Sequence, residues 1–260
     1  MDNLRRFEET QIQRIPPITP KEILNAIKVN INPKKAPGFD LITGEILKQL
    51  PKKAIVKLTY LYTAASRLIY VLSYLKAAEV IMIPKPGKHA TEVASYRPIS
   101  LLPVLSKLFE KLLLKRLKPI LDEKQIIPTH HHGFRHYHST TDQVHRITTL
   151  IEKTFEEEHV CSTIFLDVAQ AFDKVWHEGR LYKLELLLPT EYSQLLKSYL
   201  SDRYFRVKQD DKYSGLRPIK AGVPQGSVLG PVLNLIYTGI SRNLRKLLWQ
   251  LLLMTQPSWP

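Results

Sequence analysis

The sequence has little of what stabilises a secreted protein or inserts a chain into a membrane. It contains one cysteine, Cys161, which excludes an internal disulfide and fits a reducing compartment. No apolar run approaches the ~20 residues of a membrane-spanning helix, and the first residues, MDNLRRFEET, lack the apolar core of a secretory signal. We therefore expect an intracellular protein, in the nucleus or the cytoplasm, with no membrane contact.

Acidic residues are also scarce relative to basic ones. The chain has 38 Lys and Arg against 24 Asp and Glu, giving a net charge of +14 and a pI near 9.7. Such a surplus favours a polyanionic partner, although a merely basic soluble protein stays open on charge alone. The 260 residues suffice for a substantial core, and the hydrophobic content of 44% is ordinary for a globular protein.

Capping signals and apolar periodicity predict several helices. Thr19 to Glu22 has the form of a capping box with proline at the first helical position. A second helix is predicted from Pro51 to Leu68, and an apolar stripe predicts another between Leu105 and Leu113. Ser139 and Thr140 cap a further helix, whose apolar positions we expect to face inward: Val144, Ile147, Ile151 and Phe155.

Strand signals are fewer and scattered. They predict a strand from Glu79 to Pro84, a second one ending at Asp167, and a hairpin from Tyr204 to Ala221, after a helix from Tyr192 to Leu200. Helices with few, scattered strands favour the α+β class.

Two stretches carry the functional signal. In TIFLDVAQAFDKVWHEGR, from Thr163 to Arg180, a short apolar run typical of a strand ends directly before Asp167. Asp173 follows six residues later, next to Phe172. Downstream, AGVPQGSVLGPVL surrounds Gln225 with glycine and proline, which indicates a rigid turn that backbone or substrate can approach closely. The alternative is that Phe172 is a core residue, Asp173 starts a helix, and the turn is only a tight loop.

Taken together and in this order, the two stretches resemble the palm of reverse transcriptases from jockey-type non-LTR retrotransposons. The likeness runs from about Asn32 to Thr238. It implies a right-hand polymerase fold without a thumb: a helical extension over residues 1–31, fingers over 32–159, a partial palm over 160–238 and a tail over 239–260.

The resemblance also implies a chemistry and the residues for it. These enzymes join deoxynucleotides on an RNA template and a DNA primer with two Mg²⁺ ions. Asp167 would bind both ions, assisted by the Val168 carbonyl. Phe172 would stack below the sugar and exclude a 2′-hydroxyl, and Gln225 would lie against the incoming deoxynucleoside triphosphate.

Basic residues complete the implied site. The segments IPKPGK and SYRPISLLP resemble the family's fingers, where Arg97 would contact the triphosphate and Lys85 would add a second cation. KKAPGFD and GFR also match, so Lys34, Lys35 and Arg135 are expected to meet template phosphates. For the lysines, the alternative is a solvated basic loop.

Histidines between His130 and His138 suggest zinc, yet no second cysteine or carboxylate joins them at a recognised spacing. We therefore do not expect zinc there.

The tail departs from the family. After Thr238 it contains no aspartate, although the family's paired aspartates belong about here. Permitted codons for Leu252 to Gln256, regrouped one base earlier, read Phe-Ala-Asp-Asp, and Met254 has a single codon. We hypothesise a frameshift near codon 238 and an out-of-frame tail. The alternative function is therefore a catalytically inert remnant that at most binds nucleic acid through its basic fingers.

Overall fold

The computed structural model describes residues 14–89, 91–92, 95–127, 132–134, 137–162 and 172–239. Within these residues the chain forms helices and a single mixed sheet. The helices are α1 Pro20–Asn25, continued by a π-helical turn at Ala26–Asn30, α2 Gly44–Lys48, α3 Lys52–Arg67, α4 Val104–Glu123, α5 Thr140–Glu156, α6 His177–Leu187, α7 Thr190–Leu200 and α8 Leu229–Gly239. The strands are β1 Ala78–Pro84, β2 Tyr96–Leu101, β3 Tyr204–Gln209, β4 Lys212–Tyr213 and β5 Arg217–Pro218.

Helix starts follow the capping chemistry of the sequence. At α1, the Thr19 hydroxyl accepts the N–H of Glu22 at 3.3 Å, and the Glu22 carboxylate accepts the N–H of Thr19 at 3.0 Å. Ser139 and Asp142 make the same reciprocal pair at α5, at 3.2 and 2.7 Å. Both predicted caps are confirmed, because each pair satisfies N–H groups that a helix leaves unbonded at its start.

The sheet is built around β1. It pairs antiparallel with β2, placing Ile83 opposite Arg97, and parallel with β3, placing Val80 opposite Val207. The antiparallel strands β4 and β5 both pair with β3. The predicted hairpin after Tyr204 is therefore confirmed, whereas β2 and the parallel pairing of β1 with β3 were not expected.

The core centres on α4. Leu108, Phe109 and Leu112 are buried on this helix. The Tyr62 ring of α3 lies 5.2 Å from that of Phe109, and its hydroxyl donates to the Leu105 carbonyl at 2.8 Å. The predicted stripe thus joins α3 to α4, and the same buried cluster extends to α6, α7 and α8.

One expectation about packing is wrong. Val144 and Phe155 of α5 are 59% and 66% exposed, and no residue of this helix is buried. Ile147 and Ile151 are only half-buried. Periodicity creates an apolar face, but burial also needs a neighbouring element, and the described elements leave this face largely uncovered.

Helices beside a mixed sheet agree with the predicted mixture of α and β structure. In the described ranges, no helix is long and apolar enough to cross a bilayer. The strand expected to end at Asp167 lies outside the described residues.

Candidate functional site

The loop between Gly222 and Gly226 is fixed on one side by the segment that follows Phe172. The N–H of Gly222 donates to the Val175 carbonyl at 2.8 Å, and the N–H of Val223 donates to the Phe172 carbonyl at 2.9 Å. Gly222 has φ +74°, and a Cβ added there would lie 2.4 Å from the Phe172 oxygen. Only glycine fits this position, because both the left-handed conformation and the close approach exclude a side chain.

The other side of the loop rests on β2. The Gln225 carbonyl accepts the N–H of Ser100 at 2.8 Å. A Cβ on Gly226, where φ is +121°, would lie 2.7 Å from the Ser100 oxygen. The loop therefore bridges the sheet and the segment after Phe172, and it presents a half-buried Gln225 between them.

Arg97 lies on the same strand as the contact that holds Gln225. It lies three positions before Ser100, about 10 Å along a strand, and its side chain is exposed. Lys85 follows β1, where its N–H donates to the Ser95 carbonyl at 2.7 Å. The hairpin of β1 and β2 thus brings both predicted cations to the sheet that supports the Gln225 loop.

Phe172 is half-buried and contacts an aromatic from a distant part of the chain. Its ring meets that of Phe134 edge to face, with centroids 5.7 Å apart. Phe134 belongs to the GFR segment, for which the resemblance to the family predicts a place in the fingers. Beside it, partial burial raises the pKa of the Asp173 carboxyl.

A buried carboxylate supports the far end of the loop. Glu110 of α4 is fully buried and accepts the N–H groups of Val228 and Leu229 at 2.6 and 3.0 Å. Burial raises the pKa of Glu110, while the Arg203 charge and these N–H groups act in the opposite direction. Glu110 therefore fixes the start of α8, which begins three positions after Gly226.

The known proteins that the chain resembles share this region. The family model described as Reverse transcriptase (RNA-dependent DNA polymerase) matches residues 83–251, more than half of the chain. The chain belongs to the reverse transcriptase family. The match runs past Thr238, where we placed the end of the likeness, so it does not itself mark the frameshift hypothesised for the tail.

Curated relatives agree with this membership. Over 233 residues the chain is 46% identical to the Drosophila melanogaster "Probable RNA-directed DNA polymerase from transposon BS", covering 88% of this chain and 26% of that protein. It is 43% identical to the polymerase from transposon X-element of the same species, covering 91% and 27%. Identity to the "RNA-directed DNA polymerase from mobile element jockey" of Drosophila funebris is 41%, covering 87% and 25%. The chain thus spans about a quarter of the length of these relatives.

Two further residues named from the sequence lie outside this loop. Lys34 and Lys35 are exposed on the loop before α2. Asp167, Val168 and Arg135 lie outside the described residues, so their predicted roles stay predictions.

Reverse transcriptases use divalent metals, and such an ion needs several ligand atoms around one point. The described part of the chain contains no group of three or more His, Cys, Asp or Glu residues arranged around a common point. His132 and His138 are neighbours, with ring centroids 4.6 Å apart, but no third ligand from the described residues joins them. The described residues therefore do not by themselves fit a divalent metal.

Sequence reasoning missed the core residues that hold the Gln225 loop in position. Besides Glu110, the ring Nε2 of His177 lies 2.7 Å from the Gly222 carbonyl oxygen, and Arg180 Nη1 donates to the same oxygen at 3.5 Å. Burial lowers the pKa of His177 and lowers that of Arg180 to about 10. The one available signal for Glu110 was a carboxylate one turn after Ser106 in a helix with an apolar stripe. The contacts of α6 with Gly222 join residues more than 40 positions apart, so no local sequence pattern could reveal them.

Proposed function

We propose that this domain selects a deoxynucleoside triphosphate for RNA-templated DNA synthesis in its parent protein. The observation that carries the proposal is the Gln225 loop, held at Ser100 against β2, the strand that also carries Arg97. Family membership supports the reaction class. Following the likeness to jockey-type enzymes, we assign residues 32–159 to fingers and 160–238 to a partial palm.

Within this proposal each side chain has a separate task. Arg97 binds triphosphate oxygens through its planar guanidinium, and Lys85 adds a second positive charge. Gln225 lies against the base, and Phe172 excludes a 2′-hydroxyl. The edge-to-face contact with Phe134 supports this role of Phe172, because it limits the positions that the ring can adopt.

Metal binding falls to Asp167 and the carbonyl of Val168, which we propose as this chain's ligands for two Mg²⁺ ions. When bound, such ions stabilise both the attacking and the leaving oxygen in nucleotidyl transfer. One carboxylate and one carbonyl do not make two complete sites, because Mg²⁺ requires near-octahedral oxygen coordination. The residues after Thr238 supply no further aspartate.

The template and primer are polyanions, and the chain has the charge to bind them. We propose that Lys34, Lys35 and Arg135 contact phosphates of the RNA template. Such contacts are insensitive to sequence and weaken as salt is added.

The second candidate function is nucleic-acid binding without catalysis. The aspartate-free tail favours it, since loss of metal ligands removes the charge stabilisation on which phosphoryl transfer depends.

Primer extension separates the two candidates. The purified chain is given a primed RNA template, deoxynucleotides and Mg²⁺, beside an Asp167→Asn variant. If the unmodified chain extends the primer and the variant does not, the polymerase is supported. If neither protein extends the primer but both bind the template in a salt-sensitive way, the inert remnant is supported.

Sequencing of genomic DNA and transcript across codons 230 to 260 tests the frameshift. A neighbouring frame without Phe-Ala-Asp-Asp refutes it. If that frame does encode these residues, a version with the frame restored should be assayed next, because it would regain the paired aspartates.

A further inference from the structure

The loop that carries Lys34 and Lys35 packs directly on the start of α4. A Cβ on Gly38 of this loop would lie 2.5 Å from the backbone nitrogen of Pro103. The next turn of α4 carries Lys107, whose N–H donates to the Pro103 carbonyl at 3.2 Å. Loop and helix are therefore in van der Waals contact, and their lysines share one side of the molecule.

Local hydrogen bonds set the shape of the loop. Asn32 accepts the N–H of Lys34 on its side-chain oxygen at 2.9 Å and the N–H of Lys35 on its carbonyl at 3.4 Å. This turn leaves the side chains of Lys34 and Lys35 exposed. One turn further along α4 than Lys107, the ammonium of Lys111 donates to the Asn30 carbonyl, at the point where the preceding helix ends.

Three of these lysines act on one another electrostatically. We call Lys35, Lys107 and Lys111 the α4 lysine cluster. Burial, with a smaller contribution from the Lys35 charge, lowers the pKa of Lys111. Burial also lowers the pKa of Lys107, and Lys35 and Lys111 add to this effect while Glu110 and Asp40 oppose it. The fold thus holds the exposed Lys35 close to the half-buried Lys107 and Lys111, a costly arrangement in the absence of a counter-charge.

Nearby acids are engaged elsewhere. Asp40 accepts the Tyr74 hydroxyl at 2.7 Å and the N–H of Ile42 at 3.3 Å, and Glu110 accepts the N–H groups that begin α8. Further along α4, by contrast, Arg116 pairs with Glu22 at 3.0 Å. Among the described residues, the ion pairs include none made by a member of the α4 lysine cluster.

We propose that the α4 lysine cluster binds consecutive phosphates of a nucleic-acid strand that passes from the Gln225 loop along the outside of α4. The inference rests on the proposed function and adds Lys107 and Lys111 to its phosphate contacts. The closeness of the two places along the chain supports a nucleic acid over other polyanions. Ser100 bonds to the Gln225 loop, and Pro103, three positions later, packs against the lysine loop. A strand bound at the first place can therefore continue to the second.

The first test is salt-dependent binding. A fluorescein-labelled single-stranded RNA of mixed sequence is titrated with the full chain and with a variant carrying Lys35→Gln, Lys107→Gln and Lys111→Gln together. Each phosphate contact on a single strand contributes about 0.7 to the slope of log K against log salt, so the slope should fall by about 2. The affinity should fall by a similar factor for every RNA sequence.

A matched variant controls for the loss of net charge. Lys52, Lys53 and Lys197 are exposed and lie on α3 and α7, not on the lysine loop or α4, so changing all three to Gln removes the same charge. This control should leave most of the slope intact. Equal slopes for the two triple variants would overturn the proposal, since binding would then follow net charge alone. A cluster variant that keeps its RNA slope but loses binding to phosphatidylserine vesicles would overturn it as well.

Protection of lysines from acetylation in the unmodified chain provides a test that needs no variant. Acetylation with and without the RNA, read by mass spectrometry, should show Lys35, Lys107 and Lys111 protected while Lys52 and Lys53 react as before. Equal reactivity with and without RNA refutes the proposal. Neither test uses catalysis, so a chain that fails primer extension can still support this inference. If the chain extends primers but the cluster variant keeps the salt slope, the inference is refuted while the proposed function stands.

Discussion

The buried carboxylate of Glu110 accepts the N–H of Leu229 at 3.0 Å, across 119 positions of the chain. The same oxygen accepts the N–H of Val228 at 2.6 Å, and the Ser106 hydroxyl donates to the other oxygen at 3.2 Å. One side chain of α4 therefore satisfies the unbonded start of α8. Because Gly226 lies just before these residues, the Gln225 loop is positioned from the core of the domain.

Replacing Glu110 with alanine should therefore lower the stability strongly. The Glu110→Ala change leaves the N–H groups of Val228 and Leu229 without an acceptor and Arg203 without its nearby negative charge. We expect a loss of about 3–5 kcal/mol in the free energy of unfolding, typical of an uncompensated buried charge. Urea unfolding measures it. Glu110→Gln keeps an acceptor and should lose clearly less; an equal loss would contradict this account.

The stability of the chain should also depend on pH through Glu110. Burial raises its pKa in the folded state above the ordinary value of 4.5. The folded state then binds the proton more tightly than the unfolded state does. This contribution to stability is complete below pH 4.5 and is lost as the pH rises through the folded pKa. Urea unfolding at several pH values should show this decline in the parent and a flatter profile in Glu110→Gln; identical profiles would refute it.

Gly222 offers a test of the loop with an internal control. Gly222→Ala places a Cβ 2.4 Å from the Phe172 oxygen at φ +74°. We expect a loss of more than about 2 kcal/mol, because left-handed strain alone costs about 1–3 kcal/mol. Gly215→Ala is the control, since a Cβ there meets no atom within 4 Å. Thermal unfolding compares the two, and equal melting temperatures would contradict the close approach.

Local signals in the sequence predicted much of this fold. Thr19 and Ser139 start helices because their hydroxyls accept N–H groups three residues later, an interaction within a single turn. The glycines of the Gln225 loop were recognisable because their conformation is excluded for other residues. Tertiary relationships were not predictable in this way: the apolar period of α5 predicted burial for Val144, which the structure leaves exposed. The parallel pairing of Val80 with Val207 likewise joins segments without a shared local pattern.

Phe172 and Phe134 should be energetically coupled. Edge-to-face aromatic pairs contribute about 0.5–1.5 kcal/mol beyond the area they bury. A double-mutant cycle with Phe172→Leu and Phe134→Leu, measured by urea unfolding, should give a coupling in this range. A cycle that pairs Phe172→Leu with Tyr60→Leu provides the comparison, because the Tyr60 side chain is 72% exposed on α3. Additive effects in the first cycle would mean that the ring contact does not hold Phe172 in place.

Arg180 is a charged side chain in an apolar position, and replacing it should stabilise the protein. It is fully buried, and its Nη1 donates to the Gly222 carbonyl at 3.5 Å. Its guanidinium carbon lies 5.9 Å from the centre of the Tyr237 ring, and its Nε and Nη2 have no partner among the described residues. Burial lowers its pKa to about 10, which reflects the cost of the desolvated charge. We expect Arg180→Leu to raise the free energy of unfolding by about 1–3 kcal/mol.

Lys183, one turn later on α6, provides the matched control for Arg180. Its ammonium donates to the Tyr237 carbonyl at 2.6 Å and lies 4.3 Å from the centre of the Tyr237 ring, so its charge is partnered. Lys183→Leu should therefore lower the melting temperature, while Arg180→Leu should raise it. A fall in both would contradict this account, because Arg180 would then stabilise the fold through its contacts with the Gly222 carbonyl and the Tyr237 ring.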